Sequence, residues 1–267
     1  SGQGHGTSTL AGHSGRPDQH PSALWRRRSC LGGTKGAPTA LTSFSTGDIG
    51  LEVCNLGKTY ARSASAPPLF RNLNFTVGRS DRLAILGRNG QGKSTMIKIL
   101  GGALAPSEGR VNWRMTNSWP IGFSGAFQGS LTGVDNVRFL ARVYQRDYKD
   151  LMDRVDGFAE LGSKMTMPVK HYSSGMRARL AFGLSLAIDF DCYLIDELVA
   201  VGDARFQRKC NEELFERRGQ RAFIMASHDM RTVGRVCERA LIIEGGRAKM
   251  FSDVQEAIDI YTWLRAA

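Results

Sequence analysis

The sequence predicts an α/β protein with a parallel sheet, and two patterns support this fold class. In the second half of the chain, apolar strands at residues 191–195 and 221–226 alternate with helical segments at 205–217 and 229–238, which is the order of a parallel sheet. Earlier, the apolar run 83–86 leads into a glycine-rich loop and then into a helix that begins near Lys93. No apolar run approaches the roughly 18 residues of a membrane-spanning helix.

The first 46 residues differ in composition from the rest of the chain. Residues 1–46 are rich in Gly, Ser, Thr, Pro and His, contain one arginine cluster at 26–28 and show no apolar periodicity. This composition is typical of a disordered segment, and no apolar stretch follows the arginines as in a secretory signal. We therefore expect a disordered N-terminal extension over 1–46 and a folded domain over 47–267.

The remaining predicted elements follow from apolar periodicity and from turn residues. Ile49, Leu51 and Val53, for example, alternate as the buried positions of a strand do. In chain order, the elements are a strand at 49–53, a strand at 69–77, a turn at 78–81, a strand at 83–86, a charged helical stretch at 134–161, a helix after Ser174, a turn at 245–246 and an amphipathic helix at 254–264.

Residues 87–94 match the phosphate-binding pattern G-x-x-x-x-G-K-[ST] in full. The glycines let backbone N–H groups surround phosphate oxygens, and the following helix directs its positive end at the same anion. We expect Lys93 to bridge the β- and γ-phosphates, Ser94 to reach Mg²⁺, and Thr95 to add a contact near the α-phosphate. The alternative is a chance glycine-rich turn, which the flanking strand and helix disfavour. The candidate phosphate-binding residues are Gly87, Arg88, Asn89, Gly90, Gln91, Gly92, Lys93, Ser94 and Thr95.

Two adjacent carboxylates end the apolar strand that precedes the second half of the site. Asp196 and Glu197 follow the run Cys-Tyr-Leu-Ile, whose buried position would place both beside the phosphate loop. Asp196 is expected to hold Mg²⁺, and Glu197 is expected to accept a proton from the attacking water. A plain helix cap is the alternative interpretation of this pair.

Five further residues, in three places along the chain, are weaker candidates when each place is taken alone. Ser173, Ser174 and Gly175 precede a helix whose N-terminus could bind an anion, and either serine could equally be an N-cap. His228 follows a predicted strand and is expected to contact the γ-phosphate, although an isolated histidine there is more often a turn residue. Tyr60 could stack on a nucleobase or belong to the core.

In their order and approximate spacing, these motifs resemble an ABC-transporter ATPase subunit over about residues 49–265. The matching positions are 87–94, Gln128, 173–175, Asp196, Glu197, Asp203 and His228. The resemblance implies a P-loop ABC ATPase fold with a mixed-sheet core, an antiparallel β subdomain and a small helical subdomain at about 129–172.

The resemblance also implies a site that is shared between two copies of the chain. In this family two ATP molecules are sandwiched between two subunits, so Ser173 and Gly175 would contact the γ-phosphate that the partner copy binds. Gln128 would sense Mg²⁺ and the attacking water and would link the site to the membrane subunit. Asp203 would couple the two sites. Together with Lys93, His228 and Glu197, Gln128 completes the expected catalytic set.

Departures from the usual family motifs indicate the subfamily. Residues 172–176 read Y-S-S-G-M where L-S-G-G-Q is usual, and 198–203 read L-V-A-V-G-D where P-T-S-A-L-D is usual. The segments 118–133, 172–179 and 201–206 resemble the capsular polysaccharide exporters. Exporters of O-antigen or teichoic acid share the last segment and are the runner-up.

The implied protein is an ATPase that powers polysaccharide export through a separate ABC-2-type polytopic permease. It would act as a homodimer at the cytoplasmic face of the bacterial inner membrane. The region 129–172 would receive a short helix of the permease, and Phe139, Leu140, Val143 and Tyr144 could form an apolar groove there, although we expect most of them to be core.

The net charge of +11 at first allows nucleic acid, an anionic membrane or phosphorylated ligands as partners. A non-transport ABC ATPase that acts on nucleic acid or ribosomes is therefore a further alternative. However, no basic stripe interleaved with aromatic residues is present, so no nucleic-acid partner is expected.

Overall fold

The computed structural model describes residues 48–60, 67–121, 127–197 and 204–266. The extension predicted over 1–46 lies outside these residues, as does Asp203. In the described ranges, no helix is long and apolar enough to cross a membrane.

The described part of the chain contains two sheets, seven α-helices, two short 3-10 helices at Gly162–Thr166 and Val169–His171, and a π-helical turn at Glu212–Glu216. The strands are β1 (Ile49–Lys58), β2 (Phe70–Gly78), β3 (Arg82–Leu86), β4 (Glu108–Trp113), β5 (Asn117–Ile121), β6 (Cys192–Asp196), β7 (Ala222–Ala226), β8 (Arg239–Glu244) and β9 (Arg247–Phe251). The helices are α1 (Lys93–Leu100), α2 (Gly133–Val143), α3 (Tyr148–Ala159), α4 (Ser174–Ala187), α5 (Ala204–Asn211), α6 (Met230–Val236) and α7 (Val254–Ala266).

The larger sheet is mixed and has the strand order β5-β6-β7-β3-β8-β9. All neighbours in it are parallel except the β8–β9 hairpin, which is antiparallel. The smaller sheet, β2-β1-β4, is antiparallel throughout. The expected α/β fold with a mixed-sheet core and an antiparallel β part is therefore confirmed.

Residues of the larger sheet alternate between two hydrophobic clusters. Leu83 and Ile85 of β3 belong to a cluster that also contains α1 and the smaller sheet. Ala84 and Leu86 belong to a second cluster, which contains residues of α2 to α7. Because both faces of the sheet are covered, its central strands β7 and β3 are apolar at every position except Arg82.

The sequence analysis did not predict strands β4, β8 and β9. Two further differences from the structure have identifiable reasons. The helical stretch predicted over 134–161 is two helices, because Gln145 has a positive φ of 51° and Asp147 caps α3 by accepting a hydrogen bond from the Asp150 N–H at 2.8 Å. Strand β5 was missed because it contains Pro120, which a sheet tolerates at its edge.

A buried ion pair connects the turn before β3 with the start of β8. Asp81 and Arg239 are each 8% exposed and form a salt bridge. The same Asp81 oxygen accepts a hydrogen bond from the Gly78 N–H at 2.8 Å. The pair therefore anchors the turn that connects β2 of the smaller sheet with β3 to strand β8 of the larger sheet.

Replacing Asp81 with alanine should lower the free energy of unfolding by about 3 kcal/mol, because it removes one member of a buried, hydrogen-bonded ion pair. Chemical denaturation of the purified protein measures this change. The matched control is Arg217→Ala, which removes an exposed guanidinium from Glu213 while Glu213 keeps its pair with Arg218. It should change stability by less than about 0.5 kcal/mol. Equal effects of the two substitutions would contradict the prediction.

Candidate active site

The candidate site lies at the edge of the larger sheet where three neighbouring parallel strands end. Ile85 of β3 is paired with Ala226 of β7, and Ala226 is paired with Asp196 of β6. Gly87 and Glu197 directly follow β3 and β6, and His228 lies two residues after β7, so all three lie at the same edge. The predicted convergence of the phosphate loop and the two carboxylates follows from this register.

The phosphate loop owes its shape to its glycines. Gly90 and Gly92 have positive φ angles of 84° and 97°, a region that residues with a side chain rarely adopt. A Cβ atom on Gly87 would lie 2.5 Å from the Ile243 carbonyl oxygen, so only glycine fits there. Gly92 is the N-cap of α1, and no side chain caps that helix. Its first N–H groups are thus not blocked by a capping side chain.

Lys93 is buried beneath this loop. Its ammonium Nζ donates hydrogen bonds to the carbonyl oxygens of Gly87 at 2.7 Å and of Arg88 at 3.3 Å. Burial lowers the pKa of Lys93, while the nearby carboxylates of Glu197 and Asp196 act in the opposite direction. The structure therefore brings Lys93 within electrostatic range of both predicted carboxylates.

Asp196 carries an unpaired oxygen at this edge. Its Oδ1 atom is buried and has no hydrogen-bond partner among the described residues. Such an orphaned oxygen fits a cation, and Mg²⁺ is commonly held by one or two carboxylates together with phosphate oxygens. In the described part of the chain, no three His, Cys, Asp or Glu side chains are grouped so that they could hold a metal ion.

Glu197 and His228 form a pair next to Asp196. His228 Nδ1 and Glu197 Oε1 are 3.0 Å apart, and both side chains are exposed, by 69% and 48% respectively. The Glu197 backbone has a positive φ of 46° and donates its N–H to the Ala226 carbonyl at 2.9 Å. This kink directly after β6 is a strained conformation for a non-glycine residue.

The structure does not bring Gln128 or residues 173–175 into hydrogen-bond or ion-pair contact with the phosphate loop, as far as the chain is described. The Gln128 N–H donates to Asn136 Oδ1 at 2.8 Å, and its exposed side chain donates to Ser130 Oγ. Ser173 is the N-cap of α4 and accepts a hydrogen bond from the Met176 N–H at 3.2 Å. The interpretation of Ser173 as a helix cap is thus confirmed.

Tyr60 and the four proposed groove residues differ in how far their side chains are exposed to solvent. Tyr60 is 49% exposed, so it is not core, and its hydroxyl lies 3.1 Å from Thr95 Oγ1. Leu140 is buried and Tyr144 packs against the core, whereas Phe139 and Val143 are exposed. We expected most of these four residues to be core, but only two of them are.

Contacts from the C-terminal part of the chain were missed by the sequence analysis. The Tyr261 hydroxyl donates to the Gly87 carbonyl oxygen at 3.3 Å, and the Gly245 N–H donates to Gln91 Oε1 at 3.0 Å. The amphipathic pattern of α7 predicts its buried face but carries no signal for which loop that face meets.

Comparisons with known proteins agree with this geometry. A family model described as ABC transporter matches residues 70–200. The ATP-binding protein BexA of Haemophilus influenzae is 46% identical over 79% of this chain and 97% of its own length. The capsule polysaccharide export ATP-binding protein CtrD of Neisseria meningitidis is 44% identical over 80% of this chain and 99% of its own length.

A solved structure described as the ATP binding subunit of an ABC transporter has the same fold, with a TM-score of 0.67 at 21% identity. The match covers 80% of this chain and 99% of the chain in that structure. The family model thus matches residues 70–200, and the two relatives match this chain over nearly their full lengths. The chain belongs to the ABC transporter family.

Proposed function

We propose that this chain is the ATP-binding and ATP-hydrolysing subunit of a capsular polysaccharide exporter that works through a separate permease. The observation that carries the ATPase part is the strand register that ends β3, β6 and β7 at one edge of the sheet. There the phosphate loop with Lys93 lies beside Asp196 and the Glu197–His228 pair. Family membership implies nucleotide binding. The relative that is named for capsule polysaccharide export and matches over 99% of its own length supports the substrate.

In this proposal the loop 87–92 and the N-terminus of α1 bind the triphosphate. Lys93 would leave its carbonyl partners to bridge the β- and γ-phosphates, and Thr95 would lie near the α-phosphate. Tyr60 is exposed and bonded to Thr95, a position that supports stacking of its ring on the adenine. The uncapped start of α1 supports the same assignment, since its free N–H groups suit an anion.

The residues at the sheet edge also fit Mg²⁺. Asp196 would hold the ion through its unpaired oxygen, and Ser94 would hold it through its exposed hydroxyl. Gln128 would join them after its side chain has broken its hydrogen bond with Ser130. When bound, Mg²⁺ supplies positive charge that neutralises the phosphate oxygens.

Glu197 is the proposed general base for hydrolysis. Phosphoryl transfer depends mainly on positioning and on charge stabilisation. The hydrogen bond between His228 and Glu197 would orient the carboxylate toward the attacking water, and Lys93 and His228 would stabilise the charge of the γ-phosphate. Proton acceptance by Glu197 then completes the catalytic set.

Residues 173–175 are proposed to serve a second copy of the chain. Ser173 and Ser174 are exposed at the start of α4, and Gly175 follows in its first turn. In a homodimer, this helix start would face the γ-phosphate bound by the partner copy. Closure of the two copies on ATP and opening after hydrolysis would drive the permease.

The remaining partners follow from the same subfamily assignment. We propose an ABC-2-type permease as the membrane partner, the cytoplasmic face of the bacterial inner membrane as the location, and polysaccharide as the indirect substrate. The exposed Phe139 and Val143 offer apolar surface on α2 for a permease segment. The helical subdomain at about 129–172 and the coupling role of Asp203 stay part of the proposal.

Replacing Glu197 with glutamine should preserve ATP binding but slow hydrolysis by at least about a hundredfold, the lower range for loss of a general base. Single-turnover hydrolysis and ATP affinity should be measured on purified protein with its permease. Glu256→Gln, an exposed carboxylate at the start of α7, is the matched control and should hydrolyse ATP normally. Normal turnover by the Glu197 variant would refute its role as the base.

Replacing Lys93 with alanine should weaken nucleotide binding itself, because the phosphates lose their buried cation. Equilibrium binding of ATP, measured by calorimetry, should show a loss of about tenfold or more, as for a charge-assisted contact. Lys98→Ala, later in the same helix, is the control. An unchanged ATP affinity in the Lys93 variant would count against the phosphate-loop assignment.

Deleting the gene should remove the surface capsule, because no ATPase would then power export. Microscopy and surface glycan analysis detect this loss. Complementation with the intact gene should restore the capsule, and complementation with the Glu197→Gln variant should not. An intact capsule after deletion would exclude the capsule assignment, and loss of O-antigen or teichoic acid instead would favour the runner-up.

A further inference from the structure

The carbonyl oxygen of Gly87 accepts two hydrogen bonds, one from each of two distant parts of the chain. Lys93 Nζ donates to it at 2.7 Å, and the Tyr261 hydroxyl donates to it at 3.3 Å. Gly87 is buried, and Tyr261 is only 3% exposed. Water therefore has little access to this carbonyl, and the two side chains are what keep it paired.

The position of the Tyr261 hydroxyl is set by the core and not by the loop. Tyr261 lies on the buried face of α7 together with Val254, Ala257 and Ile258, and all four belong to the large hydrophobic cluster on the helical face of the sheet. The Arg265 guanidinium, one turn later, lies 5.9 Å from the centre of the Tyr261 ring. The ring is thus held from several sides whether or not Lys93 moves.

Nucleotide binding creates a conflict at the Gly87 carbonyl. If Lys93 bridges two phosphates, its ammonium must give up the hydrogen bond to Gly87. A buried carbonyl that loses its donor is costly, and that cost would be subtracted from the binding free energy. A second donor at the same oxygen removes much of the cost.

We propose that Tyr261 is a positioning residue for nucleotide binding, whose hydroxyl keeps the Gly87 carbonyl paired when Lys93 moves to the phosphates. This inference rests on the proposed role of the loop in binding ATP. It adds a residue that lies beyond the family-model match of residues 70–200 and makes α7 part of the nucleotide site.

Replacing Tyr261 with phenylalanine tests the proposal, since it removes the hydroxyl alone. Calorimetry with ATP should show an affinity about three- to tenfold weaker than that of the unsubstituted chain, the range of one net hydrogen bond. Without nucleotide, the melting temperature should change little, because Lys93 still pairs with the carbonyl. Equal ATP affinities of the variant and the unsubstituted chain would overturn the proposal.

Tyr193→Phe is the matched control. The Tyr193 hydroxyl is likewise buried, donates to the Ile188 carbonyl at 3.3 Å and is contacted by Arg218. Its removal should lower the melting temperature without nucleotide and leave the ATP affinity unchanged. If both substitutions weaken ATP binding alike, the effect is general destabilisation, and the specific role of Tyr261 is refuted.

A second experiment, on thermal unfolding, needs no nucleotide and therefore tests this inference separately from the ATPase proposal. In a Lys93→Met background, Tyr261 is the remaining side-chain donor to Gly87, so adding Tyr261→Phe should lower the melting temperature by about 2–4 °C more than it does in the unsubstituted chain. Identical shifts in the two backgrounds would show that the donors do not substitute for one another. If the unsubstituted chain fails to bind ATP, the proposed function fails, whereas this experiment still decides whether the two donors are interchangeable.

Discussion

The register of β6, β7 and β3 is the constraint on which the site depends. Asp196, Ala226 and Ile85 lie side by side, so the groups that follow the three strands meet at one edge. A slip by one residue would exchange the two faces of a strand. Because alternate residues of each strand fill two different hydrophobic clusters, such a slip would disrupt both cores. Core packing thus positions Glu197 and His228 although neither belongs to it.

The phosphate loop depends in turn on the C-terminal part of the chain. Gly87 packs against the Ile243 carbonyl, Gln91 is bonded to Gly245, and Tyr261 reaches the Gly87 carbonyl. The hairpin β8–β9 and helix α7 therefore form one wall of a loop that precedes them by about 150 residues. Damage to this wall should impair nucleotide binding even though none of its residues belongs to the loop motif.

The sequence predicts some parts of this arrangement better than others, for physical reasons. The loop 87–94 is predictable because its function requires a local pattern of glycines, lysine and serine. The ends of β6 and β7 are predictable because buried parallel strands are apolar runs with abrupt polar ends. The break at Gln145 has a local signal in the cap residue Asp147, and Pro120 hides an edge strand, so apolar periodicity alone missed both. The contact of Tyr261 with Gly87 depends on tertiary packing, which leaves no local pattern.

The exposure of Glu197 and His228, the proposed catalytic pair, gives a physical reason for the proposed dimer. Glu197 and His228 are 48% and 69% exposed, and charges in contact with bulk water are strongly screened. Stabilising the charge of a transferring phosphoryl group is more effective where water is excluded. In a single copy, Lys93 is buried, whereas Glu197 and His228, its proposed partners in catalysis, are exposed. A second copy that covers this edge with residues 173–175 would exclude water and add a helix N-terminus, so that hydrolysis would begin only after the two copies have closed.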